Sequence, residues 1–468
     1  MNIDQSIFKA YDIRGIYPTQ INEEMYPDVI KAIYTFYLNS FHKDSLTIVL
    51  SRDMRVSGPA LFEIAKNELI KMGATVIDLG LASTPTFYYA CANYDYHAGI
   101  HITASHNPKE YTGIKFGVRD GKTIKKVGKT SGMNEIVALV NSKKFASYKV
   151  GGKIIENTEV LTKEITDGLN SIAPNGLKKF KIVADPANAM GCIFLKQLFQ
   201  HVPADFSMIN DTLDGTFPVH EPSPIEHKNL KQLIEKVKTD KADLGIAPDG
   251  DGDRVYFIDE KGNVIQATAV SCIIAHEILK KTPGETIIAD IRDIRNIKEV
   301  CKKFHGKFSM SIVGHAFITK QLNEEHAAFA GESSGHFYFR ETGGAENVIR
   351  TILYILHAMS EKNKPISEIV AEYMTSAEHE EVNFIILPPA SIEDILIKME
   401  SDYADGAIDK QDKLSVEYPT WRFNMRSSNT ENAPILRLNI EAQTKQLVED
   451  KFNELKTKIV SMGGTQKD

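Results

Sequence analysis

Short apolar, β-branched runs alternate along most of this chain with stretches whose apolar residues recur at helical spacing, the signature of βα units and of parallel or mixed sheets. The pattern predicts an α/β architecture. One unit recurs three times: the strand-like runs Thr47–Asp53, Lys181–Asp185 and Thr286–Asp290 each end in Asp and lead through a polar or Gly-containing turn into a helical stretch. A second recurrence follows each of them. Ala98–Ser105, Ala242–Asp249 and Ala327–Glu332 are short strands that run straight into a polar loop. Ligands in open α/β sheets bind beyond the carboxyl ends of strands, so three equivalent loops placed this way are expected to converge on one cleft.

Breaks in the pattern fall near Val150-Gly-Gly152, around Asp259 to Asn263, and in the polar stretch Glu361 to Pro365. They predict three related mixed-sheet α/β domains over residues 1–150, 151–260 and 261–372. The remainder, 373–468, carries the strand-like Val382–Leu387 and a late helix, and is expected to be a smaller α+β domain completing the cleft. A length of 468 residues agrees, because at about 150 residues per domain it corresponds to three or four domains.

Composition narrows the function classes. Apolar residues at 42% and charged residues at 25% are ordinary for globular domains with several buried cores. The net charge of −7, from 55 basic and 62 acidic residues without long runs of either sign, excludes a chain-wide nucleic-acid surface. An anionic ligand therefore needs a local basic cleft. Cys91, Cys192, Cys272 and Cys301 are widely separated, so neither a disulfide framework nor a zinc knuckle is indicated. The first residues lack a basic, apolar leader, and no run approaches the ~20 apolar residues of a membrane helix. A cytoplasmic, membrane-free protein in a reducing compartment is expected.

Four loops carry chemistry. Asp249-Gly-Asp-Gly-Asp-Arg254 sets three carboxylates at alternate positions of a Gly-rich turn, where they repel unless a cation sits among them. An EF-hand is disfavoured, since Arg254 stands at its sixth position, where Gly is needed, and Val255–Ile258 is strand-like, although Glu260 falls at its twelfth. With so few protein ligands, Mg²⁺ completed by a phosphate oxygen or water fits best. Thr103-Ala-Ser-His-Asn-Pro108 presents Ser105 and His106 on a tight loop but lacks the flanking glycines of a hydrolase elbow, and alone it reads sooner as a polar turn. Gly331-Glu-Ser-Ser-Gly-His336 suits vicinal sugar hydroxyls, and Arg426-Ser-Ser-Asn-Thr-Glu431 has the components of a phosphate cradle; each could also be a surface turn.

In this order the four loops resemble the α-D-phosphohexomutase superfamily, most closely its bacterial phosphomannomutase/phosphoglucomutase branch. Further matches are Phe8–Gly15, Arg52–Pro59, Tyr111–Lys115, Val313–His315 and Leu436–Ala442, so the resemblance covers essentially the whole chain. It implies a four-domain enzyme whose cleft receives one loop from each domain. Ser105 would be the phosphoserine and, with Asp249, Asp251 and Asp253, a Mg²⁺ ligand. Glu332 and Ser334 would read the sugar. Tyr11, Arg14, Lys115, His315 and His336 would surround the reacting groups, Arg254 would contact the seryl phosphate, and Arg426, Ser428, Asn429 and Thr430 would hold the distal phosphate.

The chain departs from the family pattern at several positions. Ser311 and Ile312 precede Val313-Gly-His315 where Lys or Arg is usual. Gly343–Asn347 replaces an acidic pair that opens the next helix, Asn432 replaces a Pro, and Ser333 fills a position that varies with substrate preference. The implied activity is a phosphohexomutase interconverting hexose 1-phosphate and 6-phosphate, of mannose, glucose or both, through a hexose 1,6-bisphosphate intermediate. Lys115 or a cleft histidine would take the attacking hydroxyl's proton. The alternatives are a hexosamine-phosphate mutase, a sugar-phosphate phosphatase and a non-catalytic sugar-phosphate sensor. The expected partners are small sugar phosphates, and a monomer is expected.

Overall fold

The computed structural model describes residues 3–428 and 434–467. The chain forms two compact units. The first runs to Ala267 and also takes in Thr319–Phe329 and Ser334–Ile369. The second holds Thr268–Ile318, Ala330–Ser333 and the chain from Val370 onward.

The first unit contains two mixed sheets. In one the strand order is Ile13–Ile16, Tyr111–Asp120, Ala98–Ile102, Thr47–Arg52, Thr75–Leu81, Lys153–Glu156, with Thr123–Lys126 added against Tyr111–Asp120. Its central strands are parallel, and Tyr111–Asp120 runs antiparallel to both neighbours. The run Ile48-Val49-Leu50 shows why helices cover both faces. Alternate residues of a strand point to opposite sides, so Ile48 and Leu50 join the core of Tyr26–Phe41 and Gly58–Lys71, while Val49 packs with Phe87 and Tyr88 of the helix Thr84–Asn93.

The other mixed sheet orders Val264–Ile265, Val255–Asp259, Leu244–Pro248, Phe180–Ala184, Ala204–Met208, again with parallel strands at one side and antiparallel ones at the other. An antiparallel pair, Phe337–Phe339 with Ala345–Glu346, also belongs to this unit.

The second unit pairs Thr286–Asp290 in parallel with Lys307–Ser311 through the helix Arg295–Lys303. Its larger element is a six-stranded antiparallel sheet ordered Ala407–Asp409, Leu414–Glu417, Trp421–Ser427, Ile435–Ala442, Ala377–Ile386, Gly464–Gln466. Phe423, Met425, Leu436, Leu438 and Ile440 pack with the helices Ile392–Asp402 and Lys445–Ser461 in one core. The intervening residues Arg422, Asn424, Arg426, Asn439 and Glu441 are polar and also buried. A sheet face that is both polar and buried has to satisfy its charges internally, and this face carries Arg426.

The strands predicted from the sequence fall within two or three residues of the observed ones, except that Val382–Leu387 begins earlier, at Ala377. No helix among the described residues is long and apolar enough to cross a membrane.

Candidate active site

The three Asp-ended strands share one local device. The carboxylate of Asp53 accepts from the backbone N–H of Arg55 at 3.0 Å, that of Asp185 from Ala187 at 2.9 Å, and that of Asp290 from Arg292 at 2.8 Å. An Asp at the end of a strand thus closes the turn that follows it by an Asx-type bond. In two of the three the residue so fixed is an arginine that reaches the next loop.

In the first unit that arginine is Arg55, whose Nε bonds Asp53 at 3.1 Å. Its Nη2 donates to the carbonyls of Ser105 and Asn107 at 2.8 and 2.6 Å, and its Nη1 to those of Pro108 and Tyr111 at 2.8 and 3.0 Å. Thr103 Oγ1 donates to Asp53 at 2.7 Å and accepts from the Ser105 N–H at 2.9 Å. So clamped, Ser105 is buried and adopts the left-handed φ of 52°. A non-glycine residue keeps that conformation where its surroundings hold it, as Arg55, Asp53 and Thr103 do here.

The acidic loop closes on the serine loop. Asp249 accepts from the N–H groups of Asp253 and Arg254 at 3.0 and 3.2 Å with one oxygen, and its other oxygen stands 3.4 Å from Ser105 Oγ. Gly250 allows this approach, because a Cβ there would lie 2.5 Å from the Ser105 carbonyl oxygen. Asp251 is held at the N-terminus of the helix Thr84–Asn93, where Thr84 Oγ1 donates to its carboxylate at 2.5 Å and the Thr84 N–H to its carbonyl at 2.9 Å.

Asp249, Asp251 and Asp253 are all buried, and each offers a carboxylate oxygen within 4.8 Å of the others. Asp251 Oδ1 is buried with no hydrogen-bond partner among the described residues. Three converging carboxylates, with Asp253 Oδ1 likewise lacking a hydrogen-bond partner among the described residues, fit a divalent cation such as Mg²⁺. Glu260, the would-be twelfth EF-hand ligand, is bound to Ser367 instead.

Lys115 Nζ donates to Asp251 at 2.7 Å and to Asp253 at 2.5 Å. Burial pushes its ammonium down, but Asp251 and Asp253 outweigh that and hold it well above its ordinary value. Burial also raises the three carboxyls; the neighbouring Asp253 and Asp251 add to this at Asp249, which rises well above the usual range. At Asp253, the charges of Lys115 first and then of other groups including Arg254 reverse the effect of burial and carry it well below.

Arg254 Nε donates to His336 Nε2 at 3.0 Å, which leaves the proton of a neutral ring on Nδ1, 2.9 Å from Ser334 Oγ. His106 lies beside Ser105, with Nδ1 3.2 Å from Oγ, and burial, followed by Arg254 and Arg14, keeps it neutral. Arg14 joins this unit through Asn107 Oδ1 at 2.7 Å and Asp12 at 2.5 Å, and Tyr11 lies partly buried in the bend just before it.

In the second unit Arg292 bonds Asp290 through Nε and Nη2, both at 2.9 Å, and reaches Glu332 at 3.2 Å. Ser333 gives its N–H and its hydroxyl to Asp290 at 2.7 and 3.1 Å. His315 begins the helix His315–Glu324 and is partly buried. Arg426 is buried and donates to Glu381 at 2.6 Å, while Arg437 donates to the other oxygen of Glu381 at 2.9 Å and to Ser428 Oγ at 3.1 Å. Asn429 and Thr430 lie outside the described residues.

The first unit therefore brings Arg14, Ser105, Lys115, the three aspartates, Arg254, Ser334 and His336 into one network; the second places Glu332 on Arg292, and Ser428 with Arg426 around Glu381. Sequence reasoning missed Arg55, Arg292, Arg437, Glu381 and Thr84. The repeated Asp-x-Arg of Asp53–Arg55 and Asp290–Arg292 could have found the first two.

The departure at Gly343–Asn347 acquires a local account. Asn347 caps the helix Val348–Lys362 by accepting from the Arg350 N–H at 2.8 Å, and its amide donates to the buried Glu164 at 2.7 Å. An aspartate there would set a second carboxylate against Glu164. Glu346 pairs with Lys126 in a buried bridge.

The descriptions "Phosphoglucomutase/phosphomannomutase, alpha/beta/alpha domain I", "domain II" and "domain III" match residues 5–147, 161–262 and 267–377. The phosphomannomutase of Methanocaldococcus jannaschii is 34% identical over 98% of this chain and 98% of its own. The phosphomannomutase/phosphoglucomutase of Pseudomonas aeruginosa is 30% identical over 95% of this chain and 93% of its own. A crystal structure of a phosphoglucomutase/phosphomannomutase family protein from Burkholderia thailandensis is similar with a TM-score of 0.87, at 26% identity, covering 98% of each chain.

Proposed function

The chain belongs to the phosphoglucomutase/phosphomannomutase family and is a phosphohexomutase, and on that premise we propose that it moves a phosphoryl group between O1 and O6 of mannose and glucose, with Ser105 as the carrier. The observation that carries this reading is the position of Ser105: a buried serine in a left-handed turn, fixed by Arg55 and Asp53, with Asp249 at 3.4 Å.

In the forward half-reaction the bond from phosphorus to Ser105 Oγ breaks and one to a sugar hydroxyl oxygen forms. The hydroxyl's proton is taken up by an imidazole and ends on Ser105 Oγ, leaving a hexose 1,6-bisphosphate. Lys115 is committed as a cation to Asp251 and Asp253, which leaves the neutral ring of His106, with Nδ1 3.2 Å from Ser105 Oγ, as the acceptor. A divalent cation held by Asp249, Asp251 and Asp253 together with the seryl group would neutralise charge on the phosphoryl oxygens when bound. Arg254 and Arg14 face the same group as fixed donors. The second half returns the other phosphate to Ser105 after the intermediate has turned round. Arg426 and Ser428, with Asn429 and Thr430, hold whichever phosphate is distal; Glu332 and Ser334 read the sugar, and Tyr11 and His315 border the reacting groups.

Coupled assays with mannose 1-phosphate, glucose 1-phosphate and glucosamine 1-phosphate test the substrate assignment, and the first two are expected to turn over well above the third. Ser105→Ala is expected to lower turnover by about a hundredfold or more with bisphosphate supplied, because the covalent carrier is gone. Near-normal rates would remove the phosphoserine.

A further inference from the structure

The buried polar face of the six-stranded sheet contains an arrangement that its register makes costly. Arg422 stands directly opposite Glu441, and Asn424 opposite Asn439, both compatible pairs. Arg426, however, stands directly opposite Arg437, and like charges at opposed positions of neighbouring strands are destabilising. The cost is greater where water is scarce, and Arg426 is 2% exposed.

Glu381 relieves it. The strand Ala377–Ile386 pairs with Ile435–Ala442 in regular register except between His379 and Val382, where a β-bulge interrupts the ladder, and Glu381 sits in that bulge. Bulges re-aim a side chain. This one turns a carboxylate onto the arginine pair, with Arg426 Nη2 at 2.6 Å on one oxygen and Arg437 Nη1 at 2.9 Å on the other. Arg292 and Arg437 both add to the positive field at Arg426, Glu381 opposes it, and Asp412 lies within reach of Arg426's charge.

We propose that Glu381 is a built-in counter-anion of the phosphate cradle: it occupies the arginine pair when no ligand is bound, and the distal phosphate competes with it for Arg426 and Arg437. The inference rests on the reading of Arg426 as a distal-phosphate ligand and adds Arg437 to the ligand set. A phosphate dianion offers three oxygens and two charges to the same two guanidinium groups, against two oxygens and one charge from the carboxylate. The competition lowers the cradle's affinity, which suits a site that must release one phosphate and accept the other within a single turnover. A carboxylate that merely braced the arginines would do the reverse, since its loss would disorder them and weaken the site.

The test is calorimetric titration of glucose 1,6-bisphosphate into full-length Ser105→Ala protein, in which transfer is blocked, with Glu381→Gln, Arg426→Ala and Arg437→Ala added singly. Glu381→Gln is expected to tighten binding about five- to tenfold, and each arginine variant to weaken it by about tenfold or more. In the enzyme with Ser105 intact, Glu381→Gln is expected to lower KM and kcat together as release slows. If Arg426→Ala binds as the parent does, the cradle reading itself fails. If Arg426→Ala weakens binding while Glu381→Gln leaves it unchanged or weaker, the cradle stands and the counter-anion is overturned. Should the Gln variant not fold, Glu381→Asp keeps the charge but is one methylene short of bridging both guanidinium groups. It is expected to bind two- to threefold tighter, and weaker binding by it would equally overturn the proposal.

Discussion

The acidic loop of the first unit and the polar sheet face of the second are the same design with the signs exchanged. In one, three buried carboxylates crowd together and Lys115 bonds two of them; in the other, two guanidinium groups are opposed and Glu381 bonds both. Neither counter-charge stands alone, since Arg254 also approaches Asp249 and Asp253 at 3.9 and 4.0 Å, and Asp412 lies in the field of Arg426. The comparison teaches how a chain can fold around a binding site for an ion before the ion arrives. Internal counter-charges offset the repulsion for folding, and a ligand of the same sign as the counter-charge can compete with it.

The two clusters differ in how the counter-charge is delivered. Lys115 comes from a regular strand, Tyr111–Asp120, and its carboxylate partners come from a turn held by Asp249 and by the N-terminus of Thr84–Asn93. Glu381 comes from a bulge and is the more exposed of its trio, with 21% of its side chain accessible against 2% for Arg426. The acidic cluster is therefore locked, whereas the basic one holds its counter-charge at a rim where it can be displaced.

The strongest way to break this comparison is to remove the buried counter-charge. Lys115→Met leaves Asp251 and Asp253 buried without their cation, and loss of one partner of a buried pair costs about 3–5 kcal/mol. Thermal unfolding with a chelator is expected to show a large drop in Tm, and Mg²⁺ is expected to recover more of it than it adds to the parent protein. Equal Mg²⁺ effects in the two proteins would mean that Lys115 does not stand in for a cation.

A buried charge with no counter-ion in contact sharpens the same point. Glu164 is satisfied by neutral donors, Thr86 Oγ1 at 2.7 Å and the Asn347 amide at 2.7 Å, and burial raises its carboxyl to about 7 from 4.5. Its folded-state value lies above its unfolded one, so the native state binds the extra proton. This contribution to stability is present below about 4.5 and is lost as the pH rises to about 7, by about 3 kcal/mol in all. Urea unfolding at pH 5 and pH 8 is expected to show Glu164→Gln gaining on the parent protein at the higher pH. Parallel pH dependences would show that the carboxyl is already ionised in the native state.

The smallest effect is expected at the displaceable side. A guanidinium contact to a distal phosphate is made alike in ground and transition states, so Arg426→Ala is expected to raise KM about tenfold with a smaller fall in kcat. Steady-state kinetics with glucose 1-phosphate check this, and a normal KM with a collapsed kcat would place Arg426 in the chemistry instead.

How much was legible beforehand varies by residue. The strands ending at Asp53, Asp185 and Asp290 could be found from their pattern, because alternation, β-branching and a terminal Asp are local features. The purpose of those aspartates could not. Arg55 reaches the Ser105 loop across about fifty residues of chain, and only the parallel pairing of Thr47–Arg52 with Ala98–Ile102 brings the two together. The acidic loop was recognisable because its three carboxylates are close in sequence, and they remain close in space. Lys115 appeared as an active-site group and a possible base, and the structure supplies the two carboxylates that make it a cation.

The sequence by itself determined which chemical groups this protein deploys: three clustered carboxylates, a serine beside a histidine, an arginine loop, and an alternation that builds α/β domains. These are properties of neighbouring residues and survive without a fold. Tertiary structure alone decided which charge answers which. Glu381 stands in an unremarkable acidic run, Glu378-His-Glu-Glu381, and Arg437 in an ordinary strand. Their meeting depends on the register of three strands and on one bulge. The reason is that the energy of a buried charge is set by the groups within a few ångströms of it, and sequence separation carries no information about that distance.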